Sequence, residues 1–232
     1  MFDLMVERLD AVERERAVML SSISHDLRTP LAALRASVEA IRDGVAADPD
    51  ASLSGMERQI EALASLVDDL QLHSRIVSGT IDVARSRIDL TELADEATEV
   101  LRPLAETRHI SLLLEADRRV TVDADGSQLA RVIRNLLENA IRHAPDGSVV
   151  LVQIAEHPGV ATLRVVDQGD GFPPDFREHA FEPFARADPA RDLRTGTAGL
   201  GLSIARGIVA AHGGTIAVAD GPGGIVEVAL PV

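Results

Sequence analysis

The sequence predicts an α+β fold in which a long antiparallel helical hairpin precedes an α/β sandwich. Three observations lead to this prediction. Apolar residues recur at spacings of three and four over residues 2 to about 43 and again over 60–81. After residue 84 the pattern changes to short apolar strands that alternate with helices. With 232 residues, the chain is long enough for two such units.

The first unit is predicted to be a helical hairpin. Its apolar residues form a narrow seam, as in a coiled coil or helix bundle, and the stretch "DGVAADPDASLSG" is predicted to be the loop between two helices. A hairpin with a single apolar stripe cannot bury that stripe by itself. We therefore expect dimerisation into a four-helix bundle.

The second unit is predicted to be a sandwich with a mixed sheet. Strands are expected near residues 88–90, 110–115, 120–122, 149–155, 161–166, 215–219 and 225–230, and helices near 92–108, 127–143 and 202–211.

Composition excludes several classes of protein. The net charge is −14 and no basic stripe is present, which argues against a nucleic-acid surface. The absence of cysteine excludes a disulfide framework. No apolar run approaches the roughly 20 residues that a membrane-spanning helix needs, so we expect a soluble polypeptide.

The stretch "SISHDLRTPL" places polar, reactive side chains on the first helix. At 3.6 residues per turn, His25 points about 160° away from the apolar seam. Asp26 can accept the Nδ1 proton of a neighbouring imidazole and leave Nε2 free as a nucleophile, and Thr29 follows one turn later. Pro30 cannot donate to the carbonyl of Asp26, which predicts a weakened or bent helix. The alternative is an ordinary surface histidine beside a solvated aspartate.

The stretch "RVIRNLLENAIRHAP" carries a polar line beside its buried face. The line consists of Asn135, Asn139, Arg142 and His143, at spacings i, i+4, i+7 and i+8. Amide oxygens can ligate Mg²⁺, and an arginine can bind phosphate. The alternative is a solvated face on which Glu138 and Arg142 form an ion pair.

Two glycine-containing stretches complete the candidate site. In "DQGDGF", Asp167 ends an apolar strand and could accept a hydrogen bond from an exocyclic amine, while Gly169 and Gly171 allow close approach of backbone; the alternative is a plain turn. In "GTAGLGLSI", Gly199 and Gly201 begin a helix whose N-terminal N–H groups could cradle phosphate. A preceding segment, about 186–198, is predicted to be a mobile lid.

Together, in order and spacing, these motifs resemble the cytoplasmic catalytic region of bacterial sensor histidine kinases of two-component systems. "SHDLRTPL" matches the phosphoacceptor box, "NLLENAIRH" the asparagine box, "DQGDGF" and "GTAGLGLSI" the two glycine boxes, and "FEPFAR" the phenylalanine box. The resemblance implies a dimerisation and phosphotransfer hairpin followed by a Bergerat-type (GHKL) ATP-binding sandwich. The implied domains are the end of a membrane-proximal signalling helix (1–16), the hairpin (17–82), a linker (83–87) and the ATP-binding domain (88–232).

The resemblance also implies a role for each site residue. His25 is the phosphorylated residue, Asp26 its general base, Thr29 the residue that positions water for dephosphorylating the partner, and Arg186 a contact of the γ-phosphate. In the ATP-binding domain, Asn139 holds Mg²⁺ against the triphosphate, and the nucleotide face is completed by Asn135, Arg142 and His143. Asp167 recognises the adenine amine in a pocket that Gly169 and Gly171 shape. The residues that close over the phosphates are Thr197, Gly199, Leu200 and Gly201.

At the level of the whole protein, the resemblance implies a homodimeric kinase that uses ATP and Mg²⁺. It would transfer its phosphoryl group to an aspartate of a response regulator, act as a phosphatase toward that regulator, and bind no nucleic acid. The catalytic region would lie on the cytoplasmic side, with anchoring in the inner membrane through upstream segments. Two features depart from the family pattern: "GPGGIVEVALP" follows the terminal glycine segment only loosely, and His143 replaces an aromatic residue.

Two other functions stay open at this point. ATPases of the gyrase and mismatch-repair type share the same ATP sandwich, but they carry a glutamate base where this chain has Asn135. A dimeric scaffold that binds ATP without transferring phosphate is the second alternative.

Overall fold

The computed structural model describes residues 27–44, 48–185 and 199–232. The chain divides into two compact units. The described residues of the first unit are 27–44 and 48–71, and those of the second are 72–185 and 199–232.

The first unit consists of helix α1, described over 27–42, and most of helix α2 (Pro49–Val77). Asp48 precedes α2 and accepts a hydrogen bond on Oδ1 from the N–H of Ala51 at 3.0 Å, and proline occupies the first helical position. This N-cap makes the connection shorter than the sequence pattern predicts. Residues 49–55, which we expected in the loop, are helical.

The C-terminal end of α2 is also capped by residues that follow it directly in the sequence. The N–H of Gly79 donates to the carbonyl of Ile76 at 3.1 Å, and the N–H of Thr80 donates to the carbonyl of Arg75 at 2.9 Å. Gly79 adopts φ 66°, a left-handed conformation that ends helices readily. The helix therefore ends at Val77, and the expectation that it continues to residue 81 is wrong.

All seven predicted strands are present in the second unit. Five form one mixed sheet in the order β2-β4-β5-β7-β6, in which only β2 and β4 are parallel, and β1 pairs with β3 in a separate antiparallel ribbon. The strands are β1 (Ser86–Asp89), β2 (Ser111–Ala116), β3 (Thr121–Ala124), β4 (Val149–His157), β5 (Val160–Val166), β6 (Thr215–Val218) and β7 (Ile225–Pro231).

Beyond the end of α2, the described part of the second unit also contains the three predicted helices and one short helix that the pattern did not predict. These are α3 (Leu90–Glu106), α4 (Gly126–His143), α5 (Pro174–Arg177) and α6 (Gly201–Ala211). Helix α3 begins two residues earlier than expected because the carboxylate of Asp89 accepts from the N–H groups of Thr91 and Glu92. Helix α5 has four residues, which is too short to produce a periodic pattern.

The core lies between the helices and one face of the five-stranded sheet. Helix α4 contributes a broad apolar face, and the inward positions of β4 and β5 alternate with more exposed ones. This burial fixes the rotation of α4 about its axis, and so decides where its polar line points. The buried residues include Leu129, Ile133, Leu136, Leu137 and Ile141 of α4, Val150, Val152 and Ile154 of β4, and Leu163 and Val165 of β5.

In the part of the chain that the structure describes, no helix has the length and apolar character required to cross a bilayer.

Candidate functional site

Helix α4 presents the polar line predicted from the sequence. Asn135, Asn139 and Arg142 are half-buried beside its apolar face, and His143 is exposed in the last turn. The amide nitrogen Nδ2 of Asn135 donates to the carbonyl oxygen of Gly201 at 3.0 Å. The asparagine stretch and the second glycine stretch, 66 residues apart, are thereby joined at the first residue of α6.

Asp167 lies immediately after β5 and is almost fully buried, with 4% of its surface exposed. Its Oδ1 accepts hydrogen bonds from the N–H of Gly169 at 2.7 Å and from the N–H of Gly224 at 3.2 Å. Its own N–H donates to the carbonyl of Gly224 at 2.8 Å. Backbone groups from two loops therefore hold one buried carboxylate in a single orientation.

Burial is the largest influence on this carboxylate and raises the pKa of Asp167. The two backbone hydrogen bonds, and the charge of His143 when protonated, oppose that rise without cancelling it. Such a desolvated acceptor gains more from a donor such as an exocyclic amine than an exposed aspartate would.

The glycines around Asp167 are required by close packing. A Cβ atom on Gly169 would overlap the carbonyl oxygen of His143, and one on Gly171 would lie 2.6 Å from the carbonyl oxygen of Gly223. Gly171 also adopts φ 72°, which disfavours other residues. The first glycine stretch therefore packs against the last turn of α4.

The sequence interpretation missed Gly223 and Gly224. A Cβ atom on Gly224 would overlap Oδ2 of Asp167, and a Cβ atom on Gly223 would overlap the carbonyl oxygen of Asp167. We had treated "GPGGIVEVALP" only as a loose match to a terminal glycine segment. The available signal was a pair of adjacent glycines directly before the last strand, a position at which two backbones approach closely.

Phe184 and Gly199 bring together the phenylalanine stretch and the second glycine stretch. The N–H of Phe184 donates to the carbonyl of Gly199 at 3.0 Å, and both residues adopt positive φ angles, of 62° and 66°. Leu200 is buried directly before α6, and its carbonyl accepts from Oγ of Ser203 at 2.8 Å. Arg186, Thr197 and the predicted lid lie outside the described residues.

His25 and Asp26 also lie outside the described residues. The bend that we expected where Pro30 cannot donate to the carbonyl of Asp26 therefore stays a prediction. Thr29 is exposed on α1, in the first unit, and Pro30 lies within the same helix. The structure thus brings together Asn135 with Gly201, and Asp167 with Gly169 and the end of α4, whereas the arrangement of His25 and its neighbours stays a prediction.

A buried histidine and an aspartate secure the N-terminal end of α4. His212 is 1% exposed; its Nδ1 faces the carbonyl of Ile208 at 2.8 Å, and its Nε2 accepts from the N–H of Asp125 at 3.0 Å. This geometry requires the tautomer with the proton on Nδ1. His212 therefore has a structural role at the start of α4.

The side chain of Asp125 is the N-cap of α4. Its Oδ1 accepts from the N–H of Gln128 at 3.1 Å and from Oγ of Ser127 at 2.6 Å, and its Oδ2 accepts from the N–H of Ala84 at 3.2 Å. Burial opposes ionisation of this carboxyl, but the hydrogen bonds outweigh burial and lower the pKa of Asp125. The predicted linker is therefore attached to the helix that carries the polar line.

The donor set fits a magnesium ion that is held mainly by a bound triphosphate. Among the described residues, no group of three or more His, Cys, Asp or Glu side chains could hold a metal. Asn139 offers a half-buried amide oxygen on a rigid helix. Mg²⁺ is commonly bound by one or two protein oxygens together with substrate phosphates and water.

A separate cavity of about 790 Å³ opens near the N-terminal end of α4. Its walls combine arginines (Arg75, Arg131, Arg134) with acids (Asp82, Glu96) and apolar residues. It contains none of the predicted nucleotide residues, so it is distinct from the site around Asp167.

Comparisons with protein families match both units. A family model described as "His Kinase A (phospho-acceptor) domain" matches residues 15–79. A second model, described as "Histidine kinase-, DNA gyrase B-, and HSP90-like ATPase", matches residues 124–232. The first match includes the position of His25, and the second includes α4, Asp167 and both glycine stretches.

Individual proteins agree with these matches. The chain is 32% identical over 233 residues to the signal transduction histidine-protein kinase BaeS of Escherichia coli K12, covering all of this chain and 50% of BaeS. The mycobacterial sensor histidine kinase MprB is 33% identical, with a TM-score of 0.56, and the match covers 64% of this chain and 97% of that structure. Full-length ShkA in complex with AMPPNP is 26% identical, with a TM-score of 0.67, and the match covers 92% of this chain and 45% of ShkA. The chain spans about half the length of BaeS.

Proposed function

Because the chain belongs to the two-component sensor histidine kinases, we propose that it phosphorylates His25 with ATP and passes the phosphoryl group to an aspartate of a response regulator. The observation that carries this proposal is the buried carboxylate of Asp167, held by Gly169 and Gly224 beside the polar line of α4. That arrangement provides an acceptor for an adenine amine at one end and groups for phosphate and metal at the other.

The nucleotide is held by the second unit. Asp167 accepts the hydrogen bond of the adenine amine, and Gly169 and Gly171 shape the pocket by letting the neighbouring backbone pack closely. Asn135, Arg142 and His143 line the nucleotide face, and Thr197, Gly199, Leu200 and Gly201 cover the phosphates. The complex of the relative ShkA with AMPPNP supports an ATP-type ligand for this fold.

Asn139 contributes the protein ligand for Mg²⁺. Bound magnesium supplies positive charge that neutralises the phosphate oxygens. The buried face of α4 supports this proposal, because it anchors the helix that carries Asn139. Arg186 adds a cation near the γ-phosphate, where negative charge builds up during transfer.

In the transfer step, Nε2 of His25 attacks the γ-phosphorus of ATP. The N–P bond forms as the bond between that phosphorus and the β,γ-bridging oxygen breaks, and ADP leaves. Asp26 accepts the Nδ1 proton and keeps the lone pair of Nε2 directed at the phosphorus. The phosphoryl group then passes from Nε2 of His25 to an aspartate oxygen of the regulator. The N–P bond breaks as the new O–P bond forms, and Asp26 returns the proton to the ring, which restores the neutral imidazole.

The same surface would also remove phosphate from the regulator. Thr29 is exposed one turn beyond His25, where its hydroxyl can orient a water molecule toward the regulator's acyl phosphate. Thr29→Ala is expected to leave autophosphorylation intact and slow the loss of phosphate from the regulator. An unchanged rate of dephosphorylation would reject this role.

We propose that the active species is a homodimer. Large apolar side chains on the hairpin are strongly exposed, at 56% for Ile60, 54% for Leu31 and 51% for Leu53. A second copy could cover them by forming a four-helix bundle. Sedimentation of the chain, with Ile60→Asp as the disrupting variant, tests this proposal, and a monomeric parent chain would contradict it.

Localisation is proposed on the resemblance of residues 1–16 to a membrane-proximal signalling helix. The catalytic region would lie on the cytoplasmic side, and the full-length protein would be anchored in the inner membrane by other segments. Fractionation of cells that express the full-length protein tests this, since recovery in the soluble fraction would contradict it.

The decisive experiment is labelling with γ-³²P-ATP and Mg²⁺. We expect a phosphoprotein that is labile in acid and stable in base, absent in His25→Gln and lost in Asn139→Ala. His157→Gln, a substitution of an exposed histidine in β4, is the matched control and should label normally. Label that persists in His25→Gln would refute the phosphoacceptor. Release of free phosphate without labelled protein would indicate an ATPase of the gyrase type.

A further inference from the structure

Arg108, just beyond α3, places its guanidinium across the C-terminal end of α4. Nη1 donates to the carbonyl oxygens of Ile141 at 2.5 Å and Arg142 at 2.9 Å, and Nη2 donates to that of Ala144 at 2.9 Å. The last carbonyls of a helix lack intrahelical partners. One side chain from another element therefore supplies partners for three carbonyls at this helix end.

The guanidinium is itself fixed on its other side. Its Nε donates to Oδ1 of Asp146 at 2.9 Å, and Nη2 lies 2.7 Å from the same oxygen. The N–H of Gly147 also donates to the main-chain carbonyl of Arg108 at 3.1 Å. An exposed ion pair alone contributes little. Here the pair orients a cation at a helix C-terminus, where positive charge interacts favourably with the helix dipole.

The turn that Arg108 holds carries predicted nucleotide residues. Arg142 and His143 lie in it, and Asn139 lies one turn earlier. The carbonyl oxygen of His143 packs against Gly169, whose N–H supports the carboxylate of Asp167. Movement of this turn would therefore disturb both the phosphate side and the adenine side of the site.

We propose that Arg108 is a positioning residue for nucleotide binding. It acts by holding the last turn of α4, so that Arg142 and His143 face the nucleotide and Gly169 stays packed beside Asp167. This inference rests on the proposed function, because it assumes that the site around α4 binds ATP.

The test compares Arg108→Ala with Arg102→Ala in the full 232-residue chain. Arg102 is a half-buried arginine of α3 that pairs with Glu99, so its loss removes an arginine–carboxylate pair near Arg108 in sequence but leaves the bonds to the end of α4. We expect calorimetric titration with ADP to show about tenfold weaker binding for Arg108→Ala, as for the loss of a charged hydrogen bond. Arg102→Ala should bind like the parent.

Two further readouts separate positioning from general stability. Amide hydrogen exchange of Arg108→Ala should accelerate at residues 139–147, while strands β4, β5 and β7 keep their protection. In autophosphorylation, KM for ATP should rise and kcat should change little, because saturating nucleotide restores the ordered turn. Weaker ADP binding that accompanies uniformly faster exchange across the domain would overturn the positioning role.

Arg108→Lys and Asp146→Asn keep the test informative even where the alanine variant does not fold. An ammonium can donate to one or two of the carbonyls but lacks the planar fork, so Arg108→Lys should bind ADP with intermediate affinity. Asp146→Asn retains the three carbonyl bonds and should bind nearly as tightly as the parent. Parental ADP affinity in Arg108→Lys and in any folded Arg108→Ala would overturn this inference alone, whereas a parent chain that binds no ADP would overturn the proposed function.

Discussion

Asp167 and Gly224 are joined by two hydrogen bonds in opposite directions: the N–H of Gly224 donates to the carboxylate oxygen Oδ1 of Asp167, and the main-chain N–H of Asp167 donates to the carbonyl of Gly224. The two residues are 57 positions apart. The loop before β7 therefore forms one wall of the candidate site around Asp167.

Gly224→Ala should remove most of the affinity for adenine nucleotides. The added methyl group would overlap Oδ2 of Asp167 and force the carboxylate out of line. We expect binding of a fluorescent ATP analogue to weaken about tenfold or more, the equivalent of roughly 1.4 kcal/mol. Gly126→Ala is the matched control, because its Cβ would meet only Cγ2 of Ile88 at an ordinary 3.5 Å. Equal affinity in both variants would contradict the role of Gly224.

Nucleotide binding should depend on pH through Asp167. Because burial raises the pKa of Asp167, the carboxylate that accepts from the adenine amine is present above that raised pKa and is lost as pH falls through it. We expect ADP affinity to fall on acidification, and the fall to begin at a higher pH than the ordinary aspartate pKa of about 3.9 would give. ADP itself also titrates, so its affinity for the parent chain is divided at each pH by its affinity for Asp167→Asn, which cancels the contribution of ADP. A ratio that is constant with pH would refute the prediction.

The same carboxylate should discriminate between purines. Adenine presents an amine to Asp167, whereas guanine presents a carbonyl oxygen at the corresponding position, which the buried carboxylate would repel. We expect the parent chain to prefer ATP to GTP strongly and Asp167→Asn to lose most of that preference, because an amide can donate as well as accept. Competition of both nucleotides against one fluorescent probe measures this. If Asp167→Asn still prefers ATP to GTP as strongly as the parent, residues other than Asp167 recognise adenine.

Local pattern was sufficient to predict the strands, the long helices and the polar line of α4, because each depends on residues a few positions apart. Local pattern did not predict that Gly224 contacts Asp167, or that His212 and Arg108 hold the two ends of α4, because these contacts join segments that are distant in the sequence. Asp125 and His212 are 87 residues apart, and Arg108 and Ile141 are 33 apart. The early start of α2 is a different case, since aspartate followed by proline was a readable N-cap signal.

Asp125→Ala should destabilise the second unit at neutral pH. It removes the N-cap of α4 and the hydrogen bond to Ala84, and we expect a loss of about 1–2 kcal/mol in urea unfolding. Asp89→Ala removes the N-cap of α3 without any bond to the linker and serves as the matched control. A smaller loss for Asp125→Ala than for the control would show that the linker bond adds nothing.

The stabilisation from Asp125 should also disappear in acid. Because its folded pKa is lowered, the stabilisation is fully present above the unfolded value, about 3.9, and is lost as pH falls through the folded pKa. The difference in unfolding free energy between the parent and Asp125→Ala should therefore shrink below pH ~4. A difference that is unchanged at low pH would attribute the effect to packing instead of charge.

Gly207→Ala should displace the end of α2 from α6. A Cβ atom on Gly207 would overlap the side chain of Ile76 in the last turn of α2, and both residues belong to the second unit. Overpacking of this kind typically costs about 1–3 kcal/mol. Ile76→Ala in the same chain removes the overlapping atoms, so the double variant should be more stable than the sum of the two single changes predicts. Additive losses in urea unfolding would show that the two side chains do not compete for the same space. Gly55→Ala is the control for adding a methyl group to a helical glycine that has room for it, because its Cβ would meet only Nη2 of Arg58 at 3.7 Å.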